Sequence, residues 1–123
     1  MIGYITIGVK DMARAKAFYT ELLSGLGAKV LMEMDRIAMI GPSMEQPMLA
    51  VCIPYNEEAP NPGNGNMFAI TAASKPDVDK LYHKAIELGA TCEGEPGQRM
   101  PDMFYGAYVR DPDGNKMAFY VFG

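Results

Sequence analysis

A single histidine, His83, is all the chain offers in 123 residues. That scarcity removes much familiar chemistry: no Ser-His-Asp or Cys-His arrangement can be built with His83 as the only base. Cysteine is nearly as scarce. Cys52 and Cys92 lie far apart, fit no CxxC spacing, and read as two buried thiols in strands. Basic residues are outnumbered, 11 Lys and Arg against 15 Asp and Glu, for a net charge of −4 and a pI near 4.9. Non-specific nucleic-acid or anionic-membrane binding needs clustered cations, so neither is expected. No apolar run approaches the ~20 residues of a membrane span. The first residues hold no basic stretch followed by an apolar one, so no signal peptide is expected and a cytoplasmic location is. There is no glycine-rich phosphate loop either. Gly63-Asn64-Gly65 precedes a strand and reads as a linker turn.

What the chain does have is a second reading of itself. Residues Tyr4 to Ala28 run strand, helix, Leu-Gly-Ala, and residues Met67 to Ala90 repeat the order. Phe18-Tyr19 answers to Leu81-Tyr82, and Leu26-Gly27-Ala28 to Leu88-Gly89-Ala90. An offset of about 63 positions, roughly half the chain, means two copies of one supersecondary unit rather than a solenoid. A hydrophobic fraction of 49% with 21% charged residues is ordinary for a globular domain.

Local signals divide each copy further. Ile2 to Val9 alternates like a strand. Asp11 is a good N-cap for a helix over Ala13 to Leu23, whose stripe is Ala15, Phe18, Leu22 and Leu23 and whose end falls at Gly25 and Gly27. Lys29 to Glu33, Arg36 to Ile40 and Pro47 to Ile53 read as strands. Residues 54–65 are rich in Pro, Gly and Asn and separate a first module, 1–53, from a second, 66–123, within one domain. In the second copy Ser74 is the candidate N-cap, Pro76 sits in the first turn, and Val78, Leu81, Tyr82, Ala85, Ile86 and Leu88 form the stripe. His83 then lies on a helix, where it packs or meets solvent. Thr91 to Glu95 reads as a strand and Pro96 to Asp102 as a polar loop. Phe104 to Arg110 and Lys116 to Phe122 form a hairpin closed by Asp111-Pro112-Asp113-Gly114-Asn115. Each half is strand–helix–strand–strand–strand, an α+β architecture with a helix on one face of each sheet.

These residues resemble a known family. Asp11, Arg14-Ala15, Phe18-Tyr19, Leu22-Leu23 and Leu26-Gly27, followed by Gly94-Glu95-Pro96-Gly97 and the run Phe104 to Asn115, make the chain similar along its whole length to the vicinal-oxygen-chelate superfamily of glyoxalases, bleomycin-resistance proteins and extradiol dioxygenases. The resemblance implies two tandem βαβββ modules whose sheets curve around a cleft, commonly in a homodimer. It also implies a divalent metal held by His, Glu or Gln from four strands. The matching positions here fall on Tyr4, Met67, Ala118, and Leu49 or Val51. None suits a hard cation, except Tyr4 as a costly phenolate, so neither metal nor other cofactor is expected.

The resemblance and the strand alternation together nominate a ligand-binding lining of Tyr4, Leu49, Met67, Ala118 and Tyr120, with Tyr105 or Tyr108. Ile5, Ile7 and Val9, and Phe68 and Ile70, would pack the other way. The crowd of methionines in the first half, Met32, Met34, Met39, Met44 and Met48, reads as core filler or as a pliable pocket wall. Arg99 and Arg110 are candidate cations for an anionic ligand, or are solvated, with Arg110 paired to Asp111 or Asp113. The expected partner is a small apolar or aromatic molecule. Three functional readings stay open in the sequence. One is a binding protein of the bleomycin-resistance type. Another is a lyase, isomerase or dioxygenase with an atypical site using Tyr4 or Tyr105. The third is an uncommitted scaffold or assembly partner.

Overall fold

Each half of the chain forms a four-stranded sheet covered by one helix, in a computed structural model that describes residues 1–123. The first half holds β1 (Tyr4–Gly8), α1 (Met12–Leu22), a 3₁₀ turn (Ser24–Leu26), β2 (Lys29–Met34), β3 (Ile37–Gly41) and β4 (Met48–Cys52). The second holds β5 (Phe68–Thr71), α2 (Lys75–Glu87), β6 (Thr91–Met100), β7 (Phe104–Arg110) and β8 (Lys116–Val121). The sheets run β1-β4-β3-β2 and β5-β8-β7-β6, with the first strand of each unit parallel to its last. Contacts divide the chain between Pro62 and Gly63. No helix is long and apolar enough to cross a membrane.

The same local devices build both units. Asp11 caps α1 by accepting from the Arg14 amide at 3.0 Å, and Ser74 caps α2 by accepting from the Asp77 amide at 3.3 Å. Both helices leave through a glycine with positive φ, Gly27 at 81° and Gly89 at 107°, a conformation that a β-carbon disfavours. The chain then closes back in the same way, with the Ala28 amide donating to Leu23 and the Ala90 amide to Ala85. The first copy has one more residue between its aromatic pair and its Leu-Gly-Ala than the second. That residue is absorbed in the 3₁₀ turn over Ser24–Leu26, which α2 lacks.

Pairing register decides which side chains share a face. In the first unit Ile5 and Ile7 stand beside Leu49 and Val51, and these oppose Ile40 and Ala38. All of them face α1, whose Ala15, Phe18, Tyr19 and Leu22 are buried against them. Glu33 belongs to this side, because Lys16 of α1 donates to it at 2.6 Å. In the second unit Phe68, Ile70, Met117, Phe119, Ala107 and Val109 face α2 and its buried Val78, Tyr82 and Ala85.

Strand β6 is longer than the sequence suggests. The expected loop from Pro96 continues the strand to Met100. Register shifts between Cys92 and Gly94, Gly94 and Gly97, and Gln98 and Met100 absorb the irregular residues, and an edge strand tolerates a proline. Cys92 on this edge is exposed, which corrects the expectation of two buried thiols; Cys52 is buried.

The β7–β8 turn is organised by a buried carboxylate. Asp111, 3% exposed, accepts from the amides of Asp113 at 2.9 Å and Asn115 at 2.8 Å, and from the Asn115 side chain at 3.1 Å. Arg110 pairs with Glu93 and donates to the Gly114 carbonyl at 2.8 Å, rather than pairing with Asp111 or Asp113 as the sequence suggested. Removing the carboxylate strands these donors. Asp111→Ala should lower unfolding free energy by roughly 3 kcal/mol in urea titration, with Asp111→Asn losing less. An unchanged denaturation midpoint for Asp111→Ala would contradict this account of the turn.

Candidate functional site

Each sheet has one helix-covered face and one open face, and the open faces gather most of the residues with chemistry. In the first unit the open face carries Tyr4, Thr6, Met48, Ala50 and Cys52 from β1 and β4, Ile37 and Met39 from β3, and Met32 and Met34 from β2. Four of the five clustered methionines therefore lie here. Long unbranched thioethers make this face compliant rather than rigid. Tyr4 is 54% exposed at its end. Burial pushes the Cys52 thiol above its usual range, against the opposing charge of Arg36, so it is a poor nucleophile at neutral pH.

The open face of the second unit is aromatic and cationic. Its rows run across the strands as Thr71–Tyr120–Gly106–Gly97 and Ala69–Ala118–Tyr108–Gly94. Tyr120 stacks on Phe104 with ring centres 5.4 Å apart and planes 2° from parallel, and meets Phe122 edge-on at 5.0 Å. The Thr71 hydroxyl donates to the Tyr120 hydroxyl at 3.0 Å. Tyr108 has Arg99 over its ring at 5.3 Å and Lys116 at 5.5 Å.

Three glycines make room for these groups. A β-carbon at Gly106 would lie 2.6 Å from the Phe104 ring. One at Gly97 would lie 2.9 Å from the Arg99 guanidinium, and one at Gly94 would lie 2.9 Å from Tyr108 and 3.2 Å from Arg99. The guanidinium thus lies over the backbone of β6 and donates to the Glu95 carbonyl.

The six nominated residues separate by face. Tyr4 occupies the open face of the first unit, and Ala118 and Tyr120 that of the second. Ala118 is fully buried there as a small floor between Ala69 and Tyr108. Met67, exposed, precedes β5 with the alternation of Ala69 and Thr71. Two assignments are corrected. Leu49 pairs with Ile5 and faces α1, because the parallel register sets Met48, not Leu49, beside Tyr4. Tyr105 faces α2, where its hydroxyl donates to Asp79 at 2.7 Å and Lys75 sits 5.6 Å from its ring. Tyr108 takes the place that the sequence left open between the two tyrosines. Phe104, Phe122 and Arg99 as a preorganised cation escaped the sequence reading. The one available signal was Gly94, Gly97 and Gly106 spaced along an edge and its neighbour.

The divalent metal implied by the resemblance does not fit these donors. The fourth-strand position, Leu49 or Val51, moves by register to Met48 or Ala50 on the open face, which exchanges two aliphatic groups for a thioether and a methyl. No three His, Cys, Asp or Glu side chains come together. His83 is exposed on α2, with its ring edge-on to Tyr82 at 5.2 Å. A hard cation would find a tyrosine hydroxyl, thioethers and methyls at the matching positions.

Comparison with known proteins agrees with the architecture. The Glyoxalase/Bleomycin resistance protein/Dioxygenase superfamily model matches residues 1–119. The solved structure of a glyoxalase/bleomycin resistance protein from Albidiferax ferrireducens T118 is 30% identical, covers 98% of this chain and 97% of its own, and superposes with a TM-score of 0.86. A glyoxalase-related enzyme from Fulvimarina pelagi is 20% identical over 98% of this chain and 86% of its own, TM-score 0.77, a likeness of fold. A glyoxalase I mutant from Zea mays is 25% identical over 97% of this chain and only 43% of its own, TM-score 0.77. No curated protein sequence matches.

Two tyrosines at the contact between α2 and its sheet have altered ionisation. Donation to Asp79, then burial and the Asp79 charge, raise the pKa of Tyr105 against the opposing pull of Arg99. Tyr82 is pushed up to about 12 by its hydrogen bond with Cys92, then by burial and by the charges of Cys92 and Glu95. A raised pKa means that the folded state favours the neutral phenol. That stability is present below the unfolded value near 10 and is lost as pH rises through the folded value. In an ultraviolet titration, the difference between wild type and Tyr82→Phe should have its midpoint near pH 12. A midpoint at the ordinary value of about 10 would contradict the Tyr82–Cys92 contact.

Proposed function

The chain belongs to the Glyoxalase/Bleomycin resistance protein/Dioxygenase superfamily, and from that premise we propose that it captures a small apolar or aromatic molecule without metal and without transforming it, as a bleomycin-resistance-type binding protein does. The observation that carries the proposal is the makeup of the open faces. Where a metal-dependent relative needs convergent oxygen and nitrogen donors, this chain presents thioethers and methyls on one sheet and stacked rings with a hydroxyl pair on the other. Such surfaces desolvate cheaply and hold flat apolar molecules, with a few polar groups to orient them. The alternative enzymatic reading loses one of its two candidate residues, since Tyr105 is tied to Asp79 on the helix side. The proposal extends to a cytoplasmic homodimer, the common state of the family, which sedimentation distinguishes from a 13.4 kDa monomer.

Elemental mass spectrometry of the purified protein should find no stoichiometric metal, before or after incubation with Zn, Ni, Mn and Fe. A screen of aromatic and apolar compounds should raise the melting temperature, a true ligand adding about 2.7 kcal/mol at a hundredfold excess over its Kd. One equivalent of bound metal with metal-dependent turnover of a glyoxalase or dioxygenase substrate would overturn the proposal. So would a screen in which no compound stabilises the fold.

A further inference from the structure

The open face of the second unit has a polarity that the binding proposal leaves unspecified. Across the strands it passes from a hydroxyl pair, Thr71 and Tyr120, to stacked rings, Tyr120 and Phe104, to a guanidinium, Arg99, at the β6 edge. The row Thr71–Tyr120–Gly106–Gly97 sets this order, with Phe104 lying over Gly106 and Arg99 over Gly97. Neighbouring strands are about 4.8 Å apart. Rings and cation are therefore separated by one strand spacing, a distance that an aryl carboxylate spans.

Charge on this face is one-sided. Arg99, Arg110 and Lys116 stand against Glu93, which is occupied by Arg110 and held below the usual carboxylate range by that bond. The concentration of cations is notable in a chain whose net charge is −4. Arg99, though exposed, is also held in place. It donates to the Glu95 carbonyl, lies against Tyr108, and sits on two glycines whose missing side chains leave room for it. One backbone hydrogen bond leaves most of the five donors of a guanidinium directed elsewhere. An exposed fork of donors held beside aromatic rings suits a planar anion, because part of the entropy of ordering the cation is already spent.

Resting on the binding reading, we propose that this face selects a planar aromatic anion, its ring over Phe104 and Tyr120 and its carboxylate on Arg99, with Lys116 adding long-range attraction. The occupant is a free small molecule of the aryl carboxylate class.

The test uses the full-length protein and three probes of matched size: 2-naphthoate, its neutral analogue 2-naphthamide, and 2-naphthylmethylammonium. Calorimetry should rank naphthoate at least about tenfold tighter than the amide, and the ammonium weakest. Arg99→Gln should erase the advantage of naphthoate over the amide. Lys116→Met should narrow it and weaken its salt dependence. Melting curves establish that each variant folds. A second readout needs no variant: amide chemical shifts of the wild type on adding naphthoate should cluster at Gly97, Gly106 and Tyr120. Equal binding of naphthoate and amide, or a naphthoate advantage that survives Arg99→Gln, overturns the anion assignment and leaves the binding reading standing. Shifts confined to other residues overturn the location. If none of the three probes binds, the aryl-anion proposal falls, and the wider thermal screen alone decides the binding reading.

Discussion

One helix can cover only one face of a sheet, and nearly every property of this chain follows from which residues that rule assigns to the open side. The assignment is made by parallel pairing of the first strand of each unit with its last. Because side chains alternate with a period of two, the register of that single pair fixes the faces of the strands that pair without a shift, and the bulged β2 and β6 depart from it locally. Hydrophobic burial against α1 and α2 holds the register: Phe18, Tyr19 and Leu22 in one unit, and Val78, Tyr82 and Ala85 in the other, meet aliphatic rows that a one-residue slip would turn outward.

The architecture was legible in the sequence because it is written in local chemistry. The caps Asp11 and Ser74, the glycines of the two Leu-Gly-Ala turns and the Asp-Pro-Asp-Gly-Asn hairpin all act over a few residues, and the duplication supplies each reading twice. What was less legible depends on partners distant in the chain. The face of Leu49 is not legible because β4 is a continuous apolar run, which has no alternation to reveal its phase; only pairing with Ile5 supplies it. Tyr105 and Tyr108 share one strand, and the faces of that pair are decided by Asp79 on the helix. The end of β6 is hidden in the sequence because Pro96 and Gly97 are breakers in isolation, and edge position with register shifts neutralises both.

The two open faces differ in stiffness as well as in polarity. Four thioethers on the first can repack around many shapes at little energetic cost. The second is constrained, with rings stacked on rings, a hydroxyl pair, and a cation clamped to the backbone. This contrast within one duplicated unit, whose caps and turns remain alike, separates what maintains the fold from what defines its surface chemistry. The absence of a strong base on either face underlies the proposal of capture over catalysis.

Gly94 and Gly97 give that separation an evolutionary reading. Neither glycine needs an unusual backbone angle; both are bare because a guanidinium and a ring occupy the space a methyl group would take. A single-nucleotide change to alanine at either codon would displace Arg99 without breaking a backbone hydrogen bond of the sheet. The charge presented by this face can therefore drift through positions that lie beneath its side chains. Descendants of such a chain could exchange one class of ligand for another while every residue that meets the ligand stays the same.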